Sequence, residues 1–178
     1  MFRVSQREEF LAKIGVITPP RPPMYDPYQT VLERILELDP SEFEILIEHL
    51  LTALGFEGTE VTGKPGDGGV DVIGELNVSN LASVSIYVQA KRHKLGSKVS
   101  RNDVMKLRQM IPFGGQGAVI TTADYHHAAP DIAFEQGFPR IGLINGQQLV
   151  DLLTEHWTSI PLEFQERLGL KPGLVWQR

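Results

Sequence analysis

The 178 residues are 42% hydrophobic and 22% charged, the balance of one globular domain large enough to bury a core. The absence of cysteine excludes disulfides and thiolate zinc sites and fits a reducing cytosol. The net charge of −5 argues by itself against a nucleic-acid binder.

The chain opens without a basic leader and apolar block, so no signal peptide is expected. No uninterrupted apolar stretch approaches the ~18 residues of a membrane span, and a cytoplasmic protein without membrane attachment is the expectation. "PPRPPMYDP" then holds five of the twelve prolines. Such density is incompatible with helix or central strand and predicts an extended connector. "YQTVLERILEL" (28–38) reads as a short amphipathic helix. In "LDPSEF", Asp39 is an N-cap candidate, Pro40 suits the first helical position and Glu42 stands three residues after the cap. Leu38 and Phe43 are placed to form a hydrophobic staple. A helix over 40–54, stopped by Gly55, follows.

Strand and helix candidates then alternate. Strands are predicted over 57–63, 70–76 and 83–91, the last two joined by the polar "NVSN". A helix over 100–111, a buried strand over 117–122, a helix over 126–137, a short strand over 140–144 and a helix over 146–157 complete the pattern. The segment from Thr158 onward has mixed signals and receives no element. The order α-β-β-β-α-β-α-β-α implies a mixed sheet with helices on its faces. The expected organisation is an arm with a short helix (1–38), a central domain (39–157) and a tail (158–178).

Two stretches bear on chemistry. "GDGGVDV" places Asp67 and Asp71 among glycines at the mouth of one strand, and "YVQAK" closes the next. Gln89 and Lys91 are two apart, so in a strand both leave the same face. With Asp71 they would present a carboxylate, an amide oxygen and an ammonium in one patch. A hard cation such as magnesium takes oxygen ligands, here Asp71, Gln89 and the Ala90 backbone carbonyl. The bland alternatives stay open: a turn aspartate, as Asp67 is best read, and a lysine snorkelling to solvent. Gln89 is harder to dismiss, since a polar residue ending an apolar strand needs a partner.

On the 40–54 helix, Phe43, Leu46, Ile47, Leu50, Leu51 and Leu54 fill one apolar arc at about 100° per residue. Glu44 falls just outside that arc and is placed to reach inward, whereas Glu48 points further toward solvent. From 91 to 108 there are seven Lys/Arg and one acid, Asp103. That strip carries +6, leaving −11 on the rest of the chain. Local contact with phosphate requires such a strip, and a solvated helix face resembles one. Arg92, His93, Lys94, Lys98 and Arg101 are candidates to grip a nucleic-acid backbone. His126 and His127 diverge by ~100° on a helix, so a shared metal is not expected. Thr121 and Thr122 end a strand and are read as strand-end packing in preference to phosphate contacts. "GDGGVD" lacks the GK[ST] of a phosphate-binding loop.

The ordered set "FE", "LGF", "GDGGVD", "VQAK", "GAVITT" and "NGQQLVDLL" resembles the Mrr-type restriction endonuclease domain of the PD-(D/E)xK nuclease superfamily, over 41 to about 154. The resemblance implies a restriction-endonuclease-like mixed sheet flanked by helices, cutting DNA with Mg2+, for which Mn2+ can substitute. It implies a catalytic set of Glu44, Asp71, Gln89 and Lys91, with Asp71, Gln89, Ala90 and Glu44 around the metal. Glutamine at position 89, where the superfamily usually has glutamate, removes one formal charge from that site. Mrr-type proteins usually carry a further domain that chooses the DNA, and the residues before 41 hold no convincing recognition module. Either a separate specificity or sensor protein is a partner that supplies specificity, or this is a catalytic unit with little of its own. A homodimer is expected for double-strand cleavage. The rival expectations are a non-catalytic nucleic-acid or partner-binding module that keeps the fold, and an effector subunit active only with its sensor.

Overall fold

The computed structural model describes residues 27–63, 69–79 and 81–170. The Pro-rich stretch up to 26 and Asp67 lie outside them. Helix α1 (Pro27–Leu36) runs into α2 (Pro40–Ala53) through a tight corner. Asp39 accepts the Glu42 N–H at 2.8 Å and Glu42 accepts the Asp39 N–H at 2.8 Å, so both ends of the capping box are closed. Leu38 and Phe43, the staple pair, are both buried.

The sheet has the order β1 (Glu57–Val61), β2 (Val72–Val78), β3 (Ala82–Lys91), β5 (Gln116–Thr121), β7 (Ile141–Ile144). The first three strands form an antiparallel meander, and β5 and β7 run parallel to β3. The parallel connections pass through α3 (Arg101–Met110) and α4 (Ala129–Ala133). After β7 come α5 (Gly146–Glu155), a 3-10 turn and α6 (Leu162–Leu168).

Strand alternation sorts the core into two layers. Val72, Val88, Ala118 and Ile120 face Phe43, Leu46, Ile47 and Leu50 of α2 and Leu149 and Leu153 of α5. Val119 and Ile141, with the half-buried Ile73 and Tyr87, face Val104 and Leu107 of α3 and Ile132 of α4. Gln89 and Lys91, odd-numbered like Tyr87, therefore leave β3 on the α3 side.

Three differences from the sequence expectations have physical reasons. The helix expected over 126–137 shortens to α4; Pro130, without an N–H, fits only its first turn and so prevents a start at 126, and Ala128 offers no side-chain cap. A two-strand parallel pairing of β4 (Lys98–Val99) with β6 (Asp124–Tyr125) is too short to leave a periodicity. Helix α6 forms where no element was assigned. Its Leu168 is buried in the same cluster as Ile35 and Leu38, so the packed unit extends beyond 39–157 on both sides. Arg167 of α6 also holds the Glu42 carboxylate, with contacts of 2.8 and 3.0 Å.

Candidate active site

Asp71 enters β2 already tied to its neighbours. Its N–H donates to Val88 at 2.8 Å and its carbonyl accepts from Thr62 at 2.9 Å. Its carboxylate Oδ2 accepts the Ala90 N–H at 2.7 Å. The acid thus meets the peptide unit that joins Gln89 to Ala90, one residue short of Lys91. The three side chains expected to share a patch are brought to the same end of the β2–β3 pair.

Gln89 is buried, at 7% exposure, and its Oε1 has no hydrogen-bond partner among the described residues. Buried amide oxygens nearly always find a donor or a cation, so this oxygen is open to one. Gly69 stands against this amide. Gly69 has φ +89°, and a Cβ there would stand 2.2 Å from Gln89 Nε2. Only glycine permits both that backbone and that approach.

Lys91 is held at both ends. Its carbonyl accepts from Thr121 Oγ1 at 2.7 Å, across the β3–β5 register pair. Its Nζ lies 3.2 Å from Asp103 Oδ1, with side-chain exposures of 20% and 27%. Burial raises the Asp103 pKa, but hydrogen bonds from Ser100 and the Lys91 charge outweigh it, and the carboxyl ends below its ordinary value. The sequence reading noted Asp103 only as the lone acid of the basic strip. Its S-x-x-D spacing from Ser100 is the signal that predicts a helix cap, although nothing in it predicts the lysine.

Thr122, 1% exposed, bonds His93 twice, accepting from its N–H at 2.9 Å and donating to its carbonyl at 2.6 Å. Both threonines are consumed by the backbone that carries Lys91 and His93, as strand-end packing requires. Arg92 donates to the Leu36 carbonyl at 2.9 Å, so its guanidinium braces the α1 corner. Lys94, Lys98 and Arg101 are exposed, and His93 is half-buried.

Glu44 is half-buried on α2, whose apolar side packs on the Val72–Val88 face and not on the Gln89–Lys91 face. Glu48, expected to face solvent, is engaged instead. It accepts from Thr59 and Thr52 and pairs with His49 Nδ1 at 2.9 Å, because β1 packs against this side of α2. His126 and His127 are exposed, with ring centroids 4.1 Å apart. Among the described residues no group of three His, Cys, Asp or Glu is close enough to hold a metal. A cation at this site would therefore draw on amide and carbonyl oxygen as well as carboxylate. The buried Gln89 Oε1 is a donor of that kind.

The family model for restriction endonuclease, the Mrr catalytic domain, matches residues 35–153, more than half of the chain. This chain belongs to the Mrr restriction endonuclease family. It is 33% identical over 138 residues to the type IV methyl-directed restriction enzyme EcoKMrr of Escherichia coli (strain K12), covering 73% of this chain and 43% of that relative. Among solved structures, the DNA modification-dependent restriction endonuclease AspBHI superposes with a TM-score of 0.66 at 24% identity, over 82% of this chain and 40% of the other. The MspJI restriction endonuclease, in complex with a 27-mer oligonucleotide, superposes at 0.61 with 20% identity, over 85% and 37%. The two superpositions establish the fold: a restriction-endonuclease-like mixed sheet flanked by helices. The chain spans less than half the length of each of these relatives. No helix among the described residues is long and apolar enough to cross a membrane.

Proposed function

We propose that this chain hydrolyses phosphodiester bonds in DNA as a metal-dependent endonuclease and acts in cytoplasmic defence against foreign DNA, on modified targets as its relatives' descriptions suggest. Membership of the Mrr family supports the reading. The single observation that supports it most is the buried Gln89 Oε1, without a hydrogen-bond partner among the described residues, at the strand end that also carries Asp71 and Lys91.

In this reading Asp71, Gln89 Oε1 and the Ala90 carbonyl hold one divalent ion, with Glu44 contributing directly or through water. A magnesium ion bound by these residues, or manganese in its place, would supply polarisation of the phosphate and a lowered pKa for a bound water. Lys91 presents a fixed ammonium to the phosphoryl oxygens, whose negative charge grows as the nucleophile attacks. Gly69, with no side chain, leaves room for the Gln89 amide. Lys94, Lys98 and Arg101 supply exposed cations for the DNA backbone, with Arg92 and His93 setting the course of that segment. One such site cuts one strand, so cleavage of both calls for a homodimer.

The test is cleavage of supercoiled plasmid, methylated and unmethylated, by purified protein with Mg2+. The expected result is nicked or linear product that EDTA abolishes and that Asp71→Asn and Lys91→Ala each eliminate. DNA binding unaffected by EDTA, without cleavage of either plasmid, would instead identify a non-catalytic module.

A further inference from the structure

Helix α3 is bound to the sheet by two side chains that the nuclease reading leaves unused. Val104 and Leu107 anchor it in the core beside Val119 and the half-buried Tyr87. At its first turn Asp103 divides its two oxygens between two tasks. Oδ2 accepts the Ser100 N–H at 3.0 Å and the Ser100 hydroxyl at 2.7 Å, closing the cap. Oδ1 faces Lys91 Nζ at 3.2 Å.

A cap alone needs one oxygen, and Asp103 gives the other to a lysine. It meets the one that stands next to the Asp71-bound peptide. We propose that Asp103 is a positioning residue for Lys91: its carboxylate, fixed by Ser100, holds the lysine ammonium in place at the Asp71–Gln89 end of the sheet. A lysine has four rotatable bonds and is costly to aim unless something holds its tip. Thr121 fixes the backbone end of the residue and Asp103 fixes the other. The same Ser100 contacts hold the Asp103 carboxyl below its ordinary pKa against the opposing effect of burial.

This assignment rests on the nuclease reading, and the experiment separates the two. Asp103→Asn keeps an oxygen for the Ser100 cap and removes the charge. Its kcat for plasmid nicking should fall about tenfold or more, the usual scale for a supporting partner. KM for DNA, Mn2+ binding followed by electron paramagnetic resonance, and the melting temperature should stay near wild type. Asp103→Glu should recover most of the loss. Ser100→Ala, which removes the cap and leaves the charge, should lower the melting temperature more and kcat less than Asp103→Asn. Equal or higher kcat in Asp103→Asn overturns the proposal, and weakened Mn2+ binding makes Asp103 a ligand and overturns it too. If wild-type protein does not cleave, the nuclease reading fails, and the pair is judged by 1H–15N correlation of the lysine ammonium groups. A signal shielded from exchange, lost in both Lys91→Arg and Asp103→Asn, upholds the pairing, and its absence in wild type refutes it.

Discussion

The carboxylate of Asp71 accepts the backbone N–H of Ala90 at 2.7 Å, so one acid both closes the open end of β2–β3 and fixes the peptide unit that orients Gln89. Structure and chemistry are thereby coupled at this residue, and two substitutions separate them. Asp71→Asn retains an acceptor for that N–H and should melt close to wild type while losing cleavage. Asp71→Ala leaves a partly buried N–H unpaired, at a cost of about 1–3 kcal/mol. At about 2–4 °C per kcal/mol for a chain of this size, calorimetry should show the alanine variant alone melting several degrees lower.

Gly69→Ala should be damaging although only a methyl is added. The new Cβ would occupy the Gln89 amide and hold a left-handed φ that L side chains rarely adopt. A loss of about 1–3 kcal/mol by denaturant titration is expected, with cleavage falling beyond what unfolding explains. An alanine variant as active as wild type would show that the Gln89 position is immaterial.

Thr122→Val is a near-isosteric change at a buried site that strips both hydrogen bonds from His93. The expected cost is about 1–3 kcal/mol, and the segment following Lys91 should become accessible to amide exchange. Unchanged exchange at His93 would show that the hydroxyl does not brace this loop.

Much of this site is visible in the sequence for a simple reason. The two-residue spacing of Gln89 and Lys91 fixes their shared face wherever the strand forms. Capping chemistry likewise marks the start of α2, since Asp39, Pro40 and Glu42 sit within four positions. What was not legible depends on contacts between distant segments. The Lys91–Asp103 pair, the threonine braces 29 and 30 residues from their partners, and the Glu48–Thr59 bond all require the sheet to be assembled first. Helix α6 is short, and its apolar residues acquire a meaning only against Ile35 and Leu38.

Acid should loosen the α1–α2 corner. Asp39 is held below its ordinary pKa chiefly by the Glu42 N–H and then by Ser41, and Glu42 chiefly by the Arg167 guanidinium. A lowered folded pKa contributes stability above the unfolded value, near 4 for carboxylates, and that contribution is lost as pH falls through the folded value. The melting temperature should therefore drop between about pH 5 and 3. Arg167→Ala should flatten that drop, and an identical pH profile in the variant would contradict the assignment.

Replacing Lys94, Lys98 and Arg101 singly by alanine should weaken DNA binding about equally on all sequences. Each loss should reduce the slope of log affinity against log salt by about 1, measured by fluorescence anisotropy. Altered sequence preference, with an unchanged slope, would remove these residues from the backbone contact.

The central claim, that the Asp71–Gln89 end of the sheet holds the reactive metal, is tested most directly by manganese in crystals of this chain, read from anomalous diffraction. The account predicts a peak bounded by the Asp71 carboxylate, Gln89 Oε1 and the Ala90 carbonyl, and its disappearance in Asp71→Asn. A bound manganese elsewhere, with Gln89 Oε1 taken up by a protein donor, would contradict it.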